Sequence, residues 1–166
     1  ETIDVVMPGK GADAKFFATH EKLFRERGIA VILSPQKTIL ETTDKSRTIS
    51  ALQKKGLSIS NSIEVNSIEQ FENAAHALGY PANPICIKPS KYPEGSGRGF
   101  RIIDNSLNIH RRMFWEQTSE LYYVSIEQVM TAMKHEVEFP PLLVMEYLPY
   151  EEYSVYCFCD QGVPIY

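Results

Sequence analysis

The chain has 166 residues, 43% of them apolar and 23% charged, and a formal net charge of −4. These values fit a globular protein with a core of its own, in one domain or two small ones. The acidic balance excludes a general nucleic-acid binder, which needs a basic surplus, and no apolar run reaches the ~20 residues of a membrane-spanning helix.

Ile3 to Met7 is expected to be a strand, and Ala12 to Arg27 an amphipathic helix with Phe16, Phe17, Leu23 and Phe24 on its apolar side. Gly28 closes that helix, and Ile29 to Leu33 follows as a second apolar strand. This βαβ unit reads as the end of a parallel, Rossmann-like domain. Pro35 to Thr43 reads as a linker. Asp44 then opens a helical stretch, Ser46 to Lys55, which stops at Gly56. Ser67-Ile68-Glu69-Gln70 has the form of a capping box opening a helix to Leu78, ended by Gly79-Tyr80-Pro81.

Ile85 to Ile87 reads as a short buried strand that runs into Lys88, with Pro89 stopping the ladder. An ammonium is costly to place at the end of a buried strand, and a nearby anion would offset that cost. Gly95, Gly97 and Gly99 follow, supplying backbone N–H groups that can approach phosphate oxygens. Phe100 to Ile103 then returns as a strand. The order excludes two other phosphate grips: no glycine here precedes Lys-Ser or Lys-Thr, and a protein kinase puts its glycine loop before its lysine strand. A plain glycine-rich hairpin with a surface lysine is the competing explanation.

Asp104 to Pro140 reads as an elaboration carrying Met113, Phe114, Trp115, Tyr122 and Tyr123, an aromatic group expected in the core. Within it Ser125-Ile126-Glu127-Gln128 is a second capping box, opening a helix to about His135. Strands are expected at Leu142 to Tyr147, Tyr153 to Asp160 and Val163 to Tyr166. Cys157 and Cys159 alternate with Phe158 and should share one strand face, packed inward. Three cysteines, an odd number, set the expectation of reduced thiols in a cytoplasmic setting. The four histidines are dispersed and form no ligand spacing, so no metal site is expected in this chain.

The Asp44-Lys45 pair, Ile87-Lys88-Pro89-Ser90, Gly95-Ser96-Gly97-Arg98-Gly99-Phe100, Met145-Glu146-Tyr147-Leu148 and Glu152-Tyr153-Ser154-Val155 occur in one order along the chain. That series resembles the ATP-grasp superfamily, and most closely its carbamoyl-phosphate-synthase-like branch, from about Ile3 to Tyr166. Tyr150, where relatives often carry glycine, and Tyr156, where many carry an acid, depart from the pattern.

The resemblance implies an α+β (α/β) ATP-grasp fold after the tail of a Rossmann-like domain. Its divisions would be residues 1–40, the first grasp subdomain with its lid at 41–145, and the hinge with the start of the second subdomain at 146–166. Lys45 and Lys88 would reach the α- and β-phosphates of ATP, and the backbone of Ser96, Gly97, Arg98 and Gly99 would form the lid. Glu146, Tyr147 and Leu148 would meet the adenine edge, and Glu152 the ribose hydroxyls. From the residues alone, Lys45 can equally be a helix residue behind its cap, Glu152 a solvated acid like Glu151, and Arg98 the partner of an acid.

The implied activity is ATP-dependent carboxylate–amine ligation through an acyl phosphate, with ATP and Mg²⁺ as cofactors and a small carboxylate as substrate. Catalytic residues and magnesium ligands are expected after Tyr166, the chain being read as the nucleotide-gripping middle of a larger ligase that can form a homodimer. A nucleotide-binding module without turnover and an unrelated α/β domain are the alternatives.

Overall fold

The computed structural model describes residues 2–90, 99–105, 122–136, 139, 141–151, 153–160 and 162–165. The chain opens with β1 (Val5–Val6), α1 (Gly11–Arg25) and β2 (Ala30–Val31). β1 and β2 pair in parallel, as the βαβ reading expects. Phe17 packs on Phe24, with ring centroids 5.0 Å apart. Ala18 is the buried residue of α1, while Phe16 and Leu23 stay exposed.

The expected linker is instead a helix, α2 (Gln36–Thr42). Pro35 precedes it as the cap residue, and Thr42 satisfies its hydroxyl by donating to the Thr38 carbonyl at 2.9 Å. Ile39 is the buried residue of this short helix. Pro35, the first residue of the expected linker, stands at the start of a helix instead. α3 (Lys45–Lys54) follows directly, its first turn capped by the Asp44 side chain, which accepts from the Arg47 N–H at 3.1 Å. Such a cap contributes about 1 kcal/mol.

A strand the sequence reading did not expect, β3 (Ser62–Val65), comes next. α4 (Ile68–Ala77), β4 (Ile85–Pro89), β5 (Arg101–Ile103), β6 (Tyr123–Val124), α5 (Ile126–His135) and β7 (Leu142–Glu146) complete the main body. The described strands form a sheet in the order β3-β7-β4-β5-β6, antiparallel except for the parallel pair β5–β6. Pro89 does not stop the ladder: it is the last residue of β4, opposite Leu142. Its fixed φ suits extended backbone, and its missing N–H costs little at a strand end.

Both capping sequences start helices, in different ways. At α5, Ser125 Oγ accepts from the Gln128 N–H at 3.2 Å and Gln128 Oε1 accepts from the Ser125 N–H at 2.8 Å, a reciprocal box. At α4, Ser67 Oγ accepts from the Gln70 N–H, but the Gln70 side chain reaches back to the Asn66 N–H instead. Phe71, Ala74 and Ala75 of α4 and Val129 and Met133 of α5 bury one side of each helix on one face of the sheet. They meet Val65, Ile85, Ile87, Ile103, Leu142 and Val144 there. Phe71 is fully buried, and truncating such a ring to Ala costs about 3–5 kcal/mol.

The end of the chain differs most from expectation. β8 (Cys159–Asp160) and β9 (Val163–Pro164) are two-residue strands paired with each other, where longer ones were expected. Val155, Tyr156 and Phe158 stand exposed, as do Cys157 and Cys159, against the expected inward packing of the two thiols. Alternation puts the two cysteines on one side, but among the described residues no layer covers that side. Of the aromatic group expected in the core, Met113, Phe114 and Trp115 lie outside the described residues, and Tyr122 is exposed, edge-on to Phe100 with centroids 6.0 Å apart. Among the described residues no helix is long and apolar enough to cross a membrane.

Candidate functional site

Alternation along β4 sends Ile85 and Ile87 into the helix-covered core and Cys86 and Lys88 to the opposite face. Paired residues share a face. Lys88 therefore lies beside Leu143, and Cys86 beside Met145. Leu143 is only 2% exposed, so Lys88 rises from an apolar floor and is itself half-buried.

Lys45 arrives from a different element. It is the first residue of α3, and its backbone N–H donates to the Ser90 carbonyl at 3.1 Å, which ties the start of α3 to the end of β4. Burial and then the like charge of Lys88 hold the Lys45 ammonium below its ordinary value, while Asp44 opposes the shift. The two cations thus stand within electrostatic reach of each other. Neither has an ion-pair partner among the described residues. Two ammonium groups that repel each other would both be stabilised by a shared anion.

Ser90 holds this arrangement together, a part that sequence reasoning did not give it. It is fully buried. Its N–H donates to the Pro141 carbonyl at 2.9 Å and its hydroxyl to Glu64 Oε1 at 2.7 Å. Its carbonyl takes the Lys45 N–H, so one residue joins β3, the entry to β7 and α3 around the end of β4.

Gly99 lies beside Pro89 at a point with no room for a side chain unless the backbone shifts. Its φ is +80°, and a Cβ there would stand 2.8 Å from Pro89 Cδ and 2.9 Å from Cγ. The backbone therefore lies flat on the proline ring next to Lys88. Ser96, Gly97 and Arg98, the other residues expected in the lid, lie outside the described residues, as does Glu152.

At the other end of the same strands, Glu146 closes β7. Its carboxylate accepts from the Asn61 N–H at 3.1 Å and from Asn61 Nδ2 at 3.0 Å, and its own N–H donates to the Asn61 carbonyl at 3.1 Å. Its carbonyl receives the Cys86 thiol at 3.6 Å. Burial pushes that thiol up to about 11, with Lys88 opposing, so it remains a neutral donor. The Glu146 side chain is thus a fastener between β7 and the entry to β3. Tyr147 donates its N–H to the Pro84 carbonyl at 3.4 Å, and Leu148 then emerges into solvent.

Ile85 pairs with Glu146 and Lys88 with Leu143, so the lysine lies three residues from the chain's exit at Glu146. At the rise of a strand that is about 10 Å. Cys86 and Met145 lie between them on the lysine face. Across α3, a separate cleft of about 510 Å³ is lined by Glu41, Asp44, Ser46, Arg47, Lys54 and Glu64 among others. Its mixed charge gives an anion no net attraction, and neither Lys45 nor Lys88 lines it.

The sequence is 28% identical over 149 residues to the carbamoyl phosphate synthase large chain of Methanospirillum hungatei JF-1, covering 84% of this chain and 13% of that protein. No family model matches. The fold is similar to D-alanyl-alanine synthetase A from Vibrio cholerae O1, with a TM-score of 0.56 and 14% identity over 98% of this chain and 43% of that one. It is also similar to the biotin carboxylase domain of Hydrogenobacter thermophilus 2-oxoglutarate carboxylase, solved as a dimer with MgADP, ADP and bicarbonate. There the TM-score is 0.54 and the identity 24%, over 88% of this chain and 28% of that one. The chain therefore has the ATP-grasp fold and resembles carbamoyl phosphate synthase, of whose large chain it spans a small part.

Proposed function

We propose that this chain is the ATP-gripping part of an ATP-dependent carboxylate–amine ligase, acting through an acyl phosphate, of the carbamoyl-phosphate-synthase-like kind. The observation that carries the proposal is the electrostatic proximity of Lys45 and Lys88, two cations from separate elements, neither of them ion-paired among the described residues. In this reading they bind the α- and β-phosphates, and the backbone of Ser96 to Gly99 covers the β- and γ-phosphates. Adenine meets the exit backbone toward Leu148, above the floor made by Cys86 and Met145, since the Glu146 N–H and carbonyl and the Tyr147 N–H already bond Asn61, Cys86 and Pro84. Glu152 accepts from the ribose hydroxyls.

The chemistry asked of these residues is positioning and charge neutralisation. Phosphoryl transfer to a carboxylate moves negative charge onto the β-phosphate, where fixed cations stabilise it more than water does. The lid excludes water that would hydrolyse an acyl phosphate. Mg²⁺ would neutralise further phosphate charge. Among the described residues no group of three or more His, Cys, Asp or Glu could hold it, and its ligands are proposed to come from other residues of the polypeptide.

The proposed divisions are 1–40, 41–145 and 146–166. α2 spans the first boundary and packs on both α1 and α3. The dimeric state of the biotin carboxylase neighbour supports a homodimer as the assembly to look for. The test is ADP release by the full-length polypeptide with MgATP and a panel of small carboxylates, bicarbonate included, with and without ammonia. Carboxylate-dependent turnover that Lys88→Met abolishes is expected. Tight MgATP binding with no turnover on any carboxylate would leave a binding module and reject the ligase.

A further inference from the structure

Glu64 on β3 has no contact in the proposed nucleotide site, yet it shares the face of the sheet from which Lys88 rises. Its register sets it opposite Leu143, the residue that Lys88 faces from the other side, so Glu64, Leu143 and Lys88 form one row. Two strand spacings, about 10 Å, separate the Glu64 and Lys88 backbones. The Glu64 carboxylate accepts from the Ser90 hydroxyl at 2.7 Å, a length in the range of a charge-assisted bond. Ser90 in turn accepts the Lys45 N–H at its carbonyl, at 3.1 Å. We infer that Glu64 is a positioning residue: through Ser90 it holds Lys45 where that lysine can share an anion with Lys88. The inference rests on the proposed nucleotide site and extends it to a residue that touches no part of the nucleotide.

Every polar group of Ser90 is engaged, each with a different part of the fold. The N–H sets the backbone against the entry to β7, the hydroxyl sets it against β3, and the carbonyl is thereby aimed at the start of α3. Pro89 before it has no N–H for the ladder, so the Ser90 bonds carry more of the register at this end of β4. Ser90 is fully buried. A hydroxyl there that lost Glu64 would have no water to replace it and would turn toward another acceptor, because a buried donor left unpaired is costly.

The first N–H groups of a helix have no partner within it. At α3 the Lys45 N–H finds the Ser90 carbonyl, and among the described residues this is the one backbone hydrogen bond between α3 and the sheet. Together with the Asp44 cap on the first turn, it registers Lys45 against β4. That registration matters to the site, since the energy between charges falls as their separation grows. A Lys45 that drifted from Lys88 and toward water would lose both influences that hold its ammonium below the ordinary value. It would also lose its grip on an anion placed at Lys88.

The test compares Glu64→Ala, Glu64→Gln and Ser90→Ala in the full-length polypeptide. Both Glu64 variants lose the charge, but glutamine keeps an oxygen that can accept from Ser90, so the difference between them isolates the hydrogen bond. Magnetic resonance of protein isotope-labelled at lysine Cε, with Lys45→Arg to assign the signal, follows the Lys45 titration without any nucleotide. Calorimetry then measures binding of MgADP and of adenosine, which has no phosphate to meet a lysine. In Glu64→Ala and Ser90→Ala the Lys45 titration should move up toward its ordinary value. MgADP should bind about 10-fold more weakly in both, as for a lost contact to a charged group, with adenosine unchanged. Glu64→Gln should keep the titration and the affinity near wild type. An unchanged Lys45 titration or an unchanged MgADP affinity in Glu64→Ala relative to Glu64→Gln would overturn the inference. An equal loss of adenosine would overturn it too, as the mark of a general structural fault. Wild-type protein that binds no MgADP, with the Lys45 titration still moving as expected, would reject the nucleotide site and keep the positioning role.

Discussion

Gly99→Ala puts the contact between Gly99 and the lysine strand to a quantitative test. A residue with a Cβ at φ +80° sits in the left-handed region at a cost of roughly 1–2 kcal/mol. The added methyl carbon would stand 2.8 and 2.9 Å from two atoms of the Pro89 ring, well inside the ordinary carbon contact of about 3.5–4.0 Å. The ring is rigid and its residue is paired in β4, so relief requires backbone movement, which in packed sites costs about 1–3 kcal/mol. Together the loss is about 2–5 kcal/mol, a large part of a typical stability of about 5–15 kcal/mol. At about 2–4 °C per kcal/mol for a chain of this size, the Tm should fall by at least ~4 °C. Gly56→Ala is the control, because Gly56 has φ +75° and no atom within 4 Å of its virtual Cβ. It should lose only the backbone term, about 1–2 kcal/mol. Urea unfolding of both variants gives the difference. Equal losses would refute the close approach of Gly99 to Pro89.

Lys88→Met should lower ligation turnover on the order of a hundredfold or more, as removal of a fixed electrostatic donor does, measured by steady-state kinetics at saturating MgATP. Glu152→Ala should mainly raise the apparent KM for ATP with kcat nearly kept, the mark of lost uniform binding. Asn61→Ala removes the Nδ2 donor from the Glu146 carboxylate and leaves the backbone N–H in place; a bond to a charged group contributes about 1.5–3 kcal/mol, so the urea midpoint should fall, and an unchanged midpoint would dismiss the side-chain part of the fastener. Lys45 has a folded pKa below 10.5, so the unfolded chain binds more protons between that value and 10.5 and stability should rise with pH across the window. An anion between the lysines reverses the shift, and MgATP binding at alkaline pH should take up a proton, seen by calorimetry in buffers of different ionisation enthalpy; proton release would contradict the geometry.

What the sequence made legible was local. Ser67 and Ser125 announced their helices because a hydroxyl and an amide three residues apart can satisfy the first N–H groups. Ile85 to Lys88 announced a strand because its apolar run is short and ends in a charge. β3 escaped notice because Ser62-Ile63-Glu64-Val65 is brief, and its stability comes from pairing with distant β7. α2 was hidden by Pro35, whose ring permits a helix start as readily as a break. The inward packing expected of Cys157 and Cys159 assumed a covering layer that the described residues do not provide. In the site, Lys45 and Lys88 were visible as motifs, but Ser90, Asn61 and Glu64 act through contacts with residues distant in sequence.

The central claim is that Lys45 and Lys88 share one anion. Isothermal titration with MgATP of the wild type, Lys45→Met, Lys88→Met and the double variant measures it directly. A charge-assisted contact of about 1.5–3 kcal/mol predicts that each single variant binds at least ~10-fold more weakly. The double variant should deviate from additivity, because removing either lysine relieves repulsion on the other. Wild-type affinity in both single variants would contradict the account.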